Sequence, residues 1–375
     1  MRIAMLGHKR VPSREGGVEV VVEELSVRMA AQGHQVTCYN RRGRHVSGSE
    51  FGAPAEKSLK GVRIKSVPTI DRRGLAAMSA SFFASLFAAF GRYDVVHFHA
   101  EGPCATIWLP KLFGKKCVAT IHGLDHMRSK WGRLARAYIM LGEKCAARFA
   151  DEMIVLSRGN QEYFMNTYGR QTTLIPNGVN RPEPRPAEMI TRNFGLEKDG
   201  YVLFLGRIVP EKGVHYLVEA WKNINTHKKL VIAGGASDSS DYFSSVKALA
   251  GDDSRIIFTD FVQGPMLEEL YSNAYVYVLP SDLEGMPLSL LEALSYSNCC
   301  LTSDIPECAD AAGGLALTFK RSSPDELRIA LEKLLGDPQL VQQYKSKAAS
   351  VCDVYNWDRI TSDTIGIYQN IRRKK

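Results

Sequence analysis

The stretch that decides the fold is Ala274-Tyr275-Val276-Tyr277-Val278-Leu279-Pro280, followed directly by Ser281-Asp282-Leu283-Glu284-Gly285-Met286-Pro287-Leu288-Ser289-Leu290-Leu291-Glu292. Its first part is a short apolar run, which predicts a buried strand. Leu288, Leu291 and Leu294 then begin the spacing of a helix. Pro287 suits the first turn, because proline has no N–H to leave unpaired there. The stretch therefore predicts a strand, a tight loop and the N-terminus of a helix.

The loop of this stretch has the properties of a phosphate site flanked by two carboxylates. Gly285 allows the backbone to approach a ligand closely, and the free N–H groups of a helix N-terminus carry about half a positive charge. Glu284 and Glu292 frame this terminus, so the arrangement suits a ligand with both phosphates and hydroxyls, such as a sugar nucleotide. The alternative is an ordinary strand-to-helix connection with two surface acids.

The two glutamates also carry a resemblance to a known family. Seven residues separate Glu284 from Glu292, and the form E-G-M-P-L-S-L-L-E resembles the signature of glycosyltransferase family 4. That family implies retaining sugar transfer and the α/β GT-B fold, two Rossmann-like domains with a cleft between them. It also implies that Glu284 acts in catalysis by holding sugar hydroxyls, and that Glu292 binds the ribose. The other donor-binding residues that the resemblance implies here are Gly285, Met286, Pro287 and Leu288.

The beginning of the chain predicts the first Rossmann-like unit. Its expected elements are strand Ile3–Leu6, loop Gly7–Gly17, helix Val18–Gln32 and strand Gln35–Tyr39. The loop lacks G-x-G-x-x-G, which argues against a dinucleotide-dependent dehydrogenase. Its basic residues and Gly16-Gly17 can wrap a diphosphate, although a basic surface loop is the alternative. The resemblance places Gly16 and Gly17 against the donor phosphates, and Glu19 at the helix start or in the acceptor pocket.

Histidines lie at the ends of two predicted strands of this unit, Asp94–His99 and Cys117–Ile121. His97 and His99 share one face of a strand; two such histidines can begin a metal site, but no third ligand is evident. We expect one of them to be structural and His99 to lie nearer the acceptor. His122 begins H-G-L-D-x-x-R-x-K-W-G, which resembles a family 4 subgroup associated with rhamnosyl and related polysaccharide transfer. The resemblance implies that His122 contacts the donor sugar in catalysis, with Asp125 and Arg128 near the acceptor.

The second unit begins with a strand that leads into a pair of cations. Arg207 and Lys212 stand five positions apart, a spacing that suits gripping a diphosphate and stabilising the charge that builds on a leaving group. Two exposed surface cations are the alternative. The run G-R-x-x-x-x-K-G resembles the corresponding family element and implies that both residues are catalytic. Phe261 and Val262 follow a later strand, where the family packs its nucleobase.

The predicted domains are an acceptor-binding domain over residues 1–185, a nucleotide-sugar-binding domain over 186–354, and a terminal helix over 355–375 that crosses back to the first domain. The hinge is expected in the proline-rich Arg181–Pro186.

Two helices of the first domain are also expected to face a core. Residues 75–90 favour a buried helix over a membrane-surface helix, and residues 133–150 present an apolar stripe through Leu134 and Leu141.

The charge is unevenly distributed along the chain. Residues 1–190 contain 28 Lys and Arg against 16 Asp and Glu, a net +12, whereas residues 191–375 contain 20 against 24, a net −4. A basic first half suggests an anionic partner, although a merely solvated basic surface explains it equally well. No nucleic-acid motif is visible, so we expect no nucleic acid and favour an anionic membrane or a lipid-diphosphate-linked glycan. The expected location is cytoplasmic, peripheral at the inner face of the cell membrane.

No cofactor is expected, with the nucleotide sugar as a substrate, and the resemblance implies no metal because GT-B enzymes generally need none for the chemistry. The eight cysteines show no regular spacing, which favours buried free thiols. The main hypothesis is a hexosyl- or deoxyhexosyltransferase of cell-surface polysaccharide biosynthesis. Two alternatives stay open: a sugar-nucleotide epimerase of GT-B fold, and a non-catalytic protein that only binds nucleotide sugars.

Overall fold

The protein is described here from a computed structural model that covers residues 1–43, 57–72, 74–128, 130–236 and 240–373. The chain divides into two compact units. One contains Met1–Asn177 together with the residues from Trp357 onward, and the other contains Gly178–Asn356. The sequence placed these divisions at 185/186 and 354/355, so the first division lies earlier, before the proline-rich segment. The polar residues 41–61 predict a loop, and part of them, like part of the H-G-L-D run, falls outside the described residues.

The N-terminal unit is built on one sheet that is parallel except for one short edge strand. Its described strands are β1 (Arg2–Leu6), β2 (Gln35–Arg41), β3 (Ser58–Leu59), β4 (Val62–Val67), β5 (Val95–His99), β6 (Lys116–Ile121), β7 (Glu152–Val155) and β8 (Thr173–Leu174). Their order in the sheet is β3-β4-β2-β1-β5-β6-β7-β8, and only β3 runs antiparallel to its neighbour. The direction of winding therefore reverses between β1 and β5, which is where such sheets bind ligands.

The C-terminal unit contains a second sheet, parallel throughout its described pairs. Its strands are β9 (Tyr201–Leu205), β10 (Lys229–Ala233), β11 (Ile256–Asp260), β12 (Val276–Leu279), β13 (Cys299–Ser303) and β14 (Ala316–Phe319). The order β11-β10-β9-β12-β13-β14 is that of a Rossmann sheet. The winding reverses between β9 and β12, and β12 is the strand predicted from the opening stretch.

Helices connect the strands of both units. They are α1 (Gly17–Ala31), α2 (Leu75–Phe90), α3 (Trp108–Leu112), α4 (Arg133–Phe149), α5 (Arg158–Tyr168), α6 (Met189–Phe194), α7 (Val214–Lys222), α8 (Ser240–Ala250), α9 (Pro265–Asn273), α10 (Leu288–Ser295), α11 (Pro306–Ala312), α12 (Pro324–Gly336), α13 (Pro338–Ala348), α14 (Val351–Val354) and α15 (Trp357–Arg373). Helix α15 packs on α1 in the N-terminal unit. No described helix combines the length and apolar character that crossing a membrane requires.

Two helices differ from the sequence expectation. In α2, small residues such as Ala84 and Ala88 face the core, whereas Phe82 and Phe90 are 44% and 69% exposed. The expectation of a buried helix is therefore right for only one face. In α4 the expected stripe is wrong at Leu134 and Leu141, which are 90% and 50% exposed, whereas its later members Cys145 and Phe149 do pack against the core. The buried face runs through Ile139, Gly142, Glu143 and Ala146. The reason is Gly142, where a Cβ atom would lie 2.1 Å from the carbonyl oxygen of Glu101, so only a glycine permits this face to pack there.

All eight cysteines are free thiols, and seven of them are buried. Desolvation raises the pKa of buried thiols such as Cys38 and Cys117 to about 12, so both stay protonated near neutral pH. The prediction of buried free thiols is confirmed. These cysteines fill the core as small apolar side chains.

Candidate active site

The first group of predicted site residues lies at the reversal point of the N-terminal sheet. The chain leaves β1 through Gly7, whose φ of +105° is unfavourable for a residue with a side chain. A Cβ atom at Gly7 would lie 2.1 Å from the carbonyl oxygen of His99 at the end of β5. A glycine is therefore required for the ends of β1 and β5 to meet this closely.

The long loop between β1 and α1 is fixed by side chains of the same unit. The Asn40 amide donates to the Val11 carbonyl at 2.9 Å, and its oxygen accepts from the Val11 N–H at 3.1 Å. Glu19 Oε1 accepts from the Lys9 N–H at 2.9 Å. Gly16 caps α1 without a side-chain hydrogen bond, and a Cβ there would lie 2.6 Å from Glu19 Oε2. Glu19 thus orders the loop, while its role towards an acceptor stays a prediction.

Gly16 and Gly17 occupy the position expected of phosphate-binding residues. Gly16 has extended backbone angles, and Gly17 is the first residue of α1, which runs for 15 residues. The N–H groups of a first helical turn have no carbonyl partner within the helix. A diphosphate at this end would meet the positive end of the helix dipole.

The three histidines at the carboxyl ends of β5 and β6 separate into one structural residue and one pair. His97 is fully buried, with Nδ1 2.6 Å from the Tyr368 hydroxyl and Nε2 2.7 Å from the Thr120 hydroxyl. His99 Nδ1 lies 3.0 Å from His122 Nε2, and the two rings are stacked. The Nε2 atom of His99 is buried and has no hydrogen-bond partner among the described residues. The structure thus brings His99 and His122 together at the strand ends.

These imidazoles are neutral at physiological pH. Burial lowers the pKa of His97 to about 3 and that of His122 to about 4, although Asp125 and Glu19 act in the opposite direction on His122. Burial also holds the pKa of His99 well below its usual range. A neutral imidazole offers one donor and one acceptor, so this pair is suited to hydrogen bonding with hydroxyl groups.

Asp125 and Arg128 lie beside this pair and form an ion pair with each other. Asp125 Oδ1 is 2.8 Å from Arg128 Nε, and their side chains are 31% and 19% exposed. The Asp125 N–H donates to Glu101 Oε2 at 2.8 Å. The two residues therefore shape the loop after His122, and their contact with an acceptor stays a prediction.

The second group of residues lies at the reversal point of the C-terminal sheet. Arg207 lies two residues after the end of β9 and is partly buried. Gly213 has φ +66°, and a Cβ there would lie 2.0 Å from the Pro280 carbonyl oxygen at the end of β12. A Cβ atom at Gly234, which follows β10, would likewise clash with the carbonyl oxygen of Gly206. These glycines bring the loops after β9, β10 and β12 into contact.

A direct contact between two predicted site residues in this group joins Lys212 to Glu284. Lys212 Nζ lies 2.5 Å from Glu284 Oε1, and both side chains are largely shielded, at 12% and 9% exposure. Ser281 is fully buried and its hydroxyl donates to the same oxygen at 2.6 Å. The Ser281 carbonyl accepts in turn from the Ser303 hydroxyl. A catalytic candidate from each of two loops is thus held in a hydrogen-bonded network.

The segment after Glu284 leads into α10, with one difference from the prediction. Gly285, Met286 and Pro287 are buried, and Pro287 is the N-cap with φ −74° and ψ 102°. The helix begins at Leu288, so the expectation that Pro287 lies in the first turn is wrong by one position. The extended backbone of Pro287 orients the loop before the helix begins.

Glu292 and the predicted base-binding residues lie at two further places in the same unit. Glu292 Oε2 accepts from the Tyr271 hydroxyl at 3.1 Å. Phe261 and Val262 follow β11 and are partly buried. Phe261 lies beside Gly235, where a Cβ would be 3.8 Å from the Phe261 Cβ. The ends of β11, β10, β9 and β12 are neighbours in the sheet, so these residues share one edge with Arg207 and Glu284.

Some residues of these networks were missed by the sequence interpretation. Ser281 and Tyr271 hold Glu284 and Glu292, and Ser281 is the first residue of the quoted loop. Its place three residues before Glu284 was a usable signal. Glu101 and Glu143 in the N-terminal unit are fully buried carboxylates, and no motif marks them. Their proximity arises only from the packing of α4 on the loop after β5.

Comparison with known proteins identifies the class. The model of Glycosyltransferase Family 4 matches residues 15–181, and that of Glycosyl transferases group 1 matches residues 188–351. Sucrose-phosphate synthase from Thermosynechococcus elongatus superposes with a TM-score of 0.83 at 19% identity and 100% coverage of both chains. Anabaena HepE in complex with UDP and glucose gives 0.79 at 16% identity, covering 99% of this chain and 100% of the other. The fold is GT-B, and the protein is a glycosyltransferase.

Within that class the two matched domains decide the family. Alpha-maltose-1-phosphate synthase of Mycolicibacterium smegmatis is 26% identical over 403 aligned positions, covering 99% of this chain and 100% of that protein. The chain belongs to the family 4 glycosyltransferases, with the group 1 domain as its C-terminal half.

Proposed function

We propose that the protein is a retaining glycosyltransferase that moves a hexosyl or deoxyhexosyl group from a nucleotide-diphosphate sugar to a glycan acceptor. The observation that carries this proposal is the shielded Lys212–Glu284 pair in front of α10. A cation and a carboxylate held 2.5 Å apart can each contact one part of the donor: the cation its diphosphate, the carboxylate its sugar hydroxyls. An ordinary loop with two surface acids does not bury such a pair.

In the proposed reaction Arg207 and Lys212 bind the diphosphate and stabilise the charge that develops on it as the glycosidic bond breaks. The acceptor hydroxyl attacks the anomeric carbon on the face the diphosphate leaves, and its proton passes to a phosphate oxygen. This scheme needs no protein nucleophile, no metal and no cofactor. Glu292 accepts from the ribose hydroxyls, and Phe261 and Val262 contact the base. His122 contacts the donor sugar, a role its neutral imidazole supports.

The identity of the donor is tested by a panel of nucleotide sugars. HepE is described with UDP and glucose, which favours a uridine nucleotide, whereas the H-G-L-D run favours a rhamnosyl donor. We expect one member of a panel of UDP-, dTDP- and GDP-sugars to raise the melting temperature, since a ligand that binds only the folded form stabilises it. The Glu292→Ala variant should need a higher concentration of the same compound to reach the same rise in melting temperature. A panel with no effect on the wild type would contradict the proposal.

For the acceptor we propose a lipid-diphosphate-linked glycan of cell-surface polysaccharide biosynthesis. A second candidate is a soluble phosphorylated sugar, because alpha-maltose-1-phosphate synthase and sucrose-phosphate synthase are named for such compounds. Transfer assays with each acceptor separate the two. Conversion of the donor without any acceptor would indicate an epimerase, and binding without turnover would indicate a sensor; either result contradicts the transferase proposal.

We also propose that the N-terminal unit contacts an anionic membrane from the cytoplasmic side. Phe90 and Phe113 pack edge to face at 4.7 Å between centroids, yet remain 69% and 48% exposed, and Leu112 is 74% exposed. This apolar patch belongs to the half of the chain with net charge +12. Apolar groups insert at a membrane surface while cations attract anionic lipids.

The membrane proposal predicts co-sedimentation with vesicles that contain anionic phospholipid, and little with neutral vesicles. The double variant Phe90→Ser/Leu112→Ser should lose this binding. Val354→Ser, at a 61% exposed position of the C-terminal unit, is the matched control and should retain it. Binding of the double variant equal to that of the control would overturn the proposal.

A further inference from the structure

Three side chains of the N-terminal unit converge on one buried point beside the loop that follows His122. Glu101 follows β5, His126 lies in the short 3-10 helix Asp125–Met127, and Glu143 lies on α4. His126 Nδ1 is 3.0 Å from Glu143 Oε2 and 3.9 Å from Glu101 Oε1. One ligand atom from each residue lies within 4.8 Å of those from the other two.

The three converging atoms have no hydrogen-bond partner among the described residues. Glu101 Oε1, Glu143 Oε2 and His126 Nδ1 are each inaccessible to solvent and make no hydrogen bond. Both glutamates are fully buried, and the His126 side chain is 15% exposed. His126 Nδ1 lies within ion-pairing distance of both carboxylates, which only a protonated imidazole can use. Buried polar atoms without hydrogen bonds are costly, and a cation held by all three atoms would remove that cost while the imidazole stays neutral.

The other oxygen of each carboxylate is held by a protein donor. The Asp125 N–H donates to Glu101 Oε2 at 2.8 Å, and the Tyr163 hydroxyl donates to Glu143 Oε1 at 2.6 Å. Each carboxylate therefore has one oxygen fixed by the protein and directs the other to the shared point. Ligating carboxylates in metal sites are typically supported by hydrogen bonds of this kind.

The backbone is also arranged to bring the two glutamates together. The close approach of Gly142 to the Glu101 carbonyl admits no side chain at position 142. Glu143, the next residue, is thereby held against the loop that carries Glu101. Two facing carboxylates in a buried site are stabilised by a cation between them.

We propose that Glu101, His126 and Glu143 bind a divalent transition-metal ion, for which Zn²⁺ is the best match. One imidazole nitrogen and two carboxylate oxygens are ligands that Zn²⁺ accepts. The site is structural: it ties the loop after β5, which follows His99, to the loop after β6, which follows His122. This inference is separate from the transfer chemistry, for which no metal is proposed.

The direct test is a metal titration of the full chain after removal of metal with a chelator. Zn²⁺ should bind with a stoichiometry of about one per chain and raise the melting temperature. Glu101→Gln, His126→Gln and Glu143→Gln should each lower the affinity for Zn²⁺ at least about tenfold. His227→Gln and Glu162→Gln change the same residue types at exposed positions and should bind Zn²⁺ as the wild type does.

Cobalt substitution tests the ligand set on the wild type, so the result does not depend on whether the buried variants fold. Co²⁺ bound by nitrogen and oxygen alone should show d–d absorption without a sulfur-to-cobalt charge-transfer band. Such a band would show that cysteine thiolates bind the metal, and it would overturn the assignment. Failure of the chelator-treated wild type to bind Zn²⁺, or equal binding by folded triad variants and controls, would overturn it as well.

Discussion

The two units place their candidate residues at the same point of the same kind of sheet but differ in chemistry. In the C-terminal unit the reversal point carries charge: Lys212 and Glu284 form a shielded ion pair. In the N-terminal unit it carries neutral imidazoles, with His99 stacked on His122. The fold thus supplies the position of the site, which is the carboxyl edge of the sheet where the winding reverses. The loop residues at that edge decide whether the site suits a diphosphate or hydroxyl groups.

The largest expected effect lies in the charged unit. Arg207→Ala or Lys212→Ala should lower kcat about a hundredfold or more, at least about 2.7 kcal/mol, because each removes a cation that stabilises charge on the leaving diphosphate. Steady-state kinetics with the donor identified by thermal shift measures this. Lys198→Ala, at an exposed position of the same unit, is the control and should behave as the wild type. Wild-type turnover in both cation variants would remove the diphosphate assignment.

The second prediction concerns the glycines that let loops meet at the reversal points. Gly213→Ala should lower the free energy of unfolding by about 2 kcal/mol more than Gly251→Ala. Both glycines have similar φ, +66° and +60°, but a Cβ at Gly213 meets the Pro280 carbonyl at 2.0 Å, whereas one at Gly251 meets nothing within 4 Å. The difference therefore isolates the clash from the cost of the left-handed backbone. Urea unfolding measures both.

Gly7→Ala extends this comparison to the N-terminal unit. Its Cβ would lie 2.1 Å from the His99 carbonyl, so the loss should match that of Gly213→Ala. Equal unfolding free energies for all three variants would show that the loops move apart freely. In that case, close contact at the reversal points would not explain why glycine is needed there.

The share of candidate site residues that could be predicted from the sequence differs between the two units, and the difference has a physical reason. Arg207, Lys212 and Glu284 lie in short connections after apolar strands, and Glu292 lies on the helix that follows, so the local pattern predicted the place of each in the fold. Glu143 was missed because the exposed Leu134 and Leu141 gave α4 the more convincing apolar stripe. Which face is buried was decided by the contact of Gly142 with Glu101, between residues far apart in the chain. The exposed phenylalanines of α2 were missed because composition does not show which face a neighbour covers.

The third prediction uses the neutral histidines of the N-terminal unit. The pKa of His97 is about 3 in the folded protein against 6.5 for an unperturbed imidazole. Between these values the unfolded chain binds a proton that the folded chain does not. Stability therefore falls as the pH falls through this window and is unaffected by His97 above it. Each such histidine adds a slope of about 1.4 kcal/mol per pH unit.

His97→Gln should flatten the pH dependence of the unfolding free energy between pH 4 and 6 by about that slope. Urea unfolding at a series of pH values measures it. His227→Gln changes an exposed histidine of the C-terminal unit and should leave the slope unchanged. An unaltered slope in His97→Gln would show that His97 is already protonated in the folded state.

The smallest expected effect returns to the charged unit. Glu292→Ala should raise the KM for the donor roughly fivefold, about 1 kcal/mol, with little change in kcat. The proposed ribose hydrogen bond is the same in the ground and transition states, so its loss weakens binding without slowing the chemical step. Glu219→Ala, at an exposed position of α7, is the control and should leave KM unchanged. A fall in kcat as large as that of Lys212→Ala would place Glu292 among the groups that act on the transition state, and the division of roles between the two glutamates would have to be redrawn.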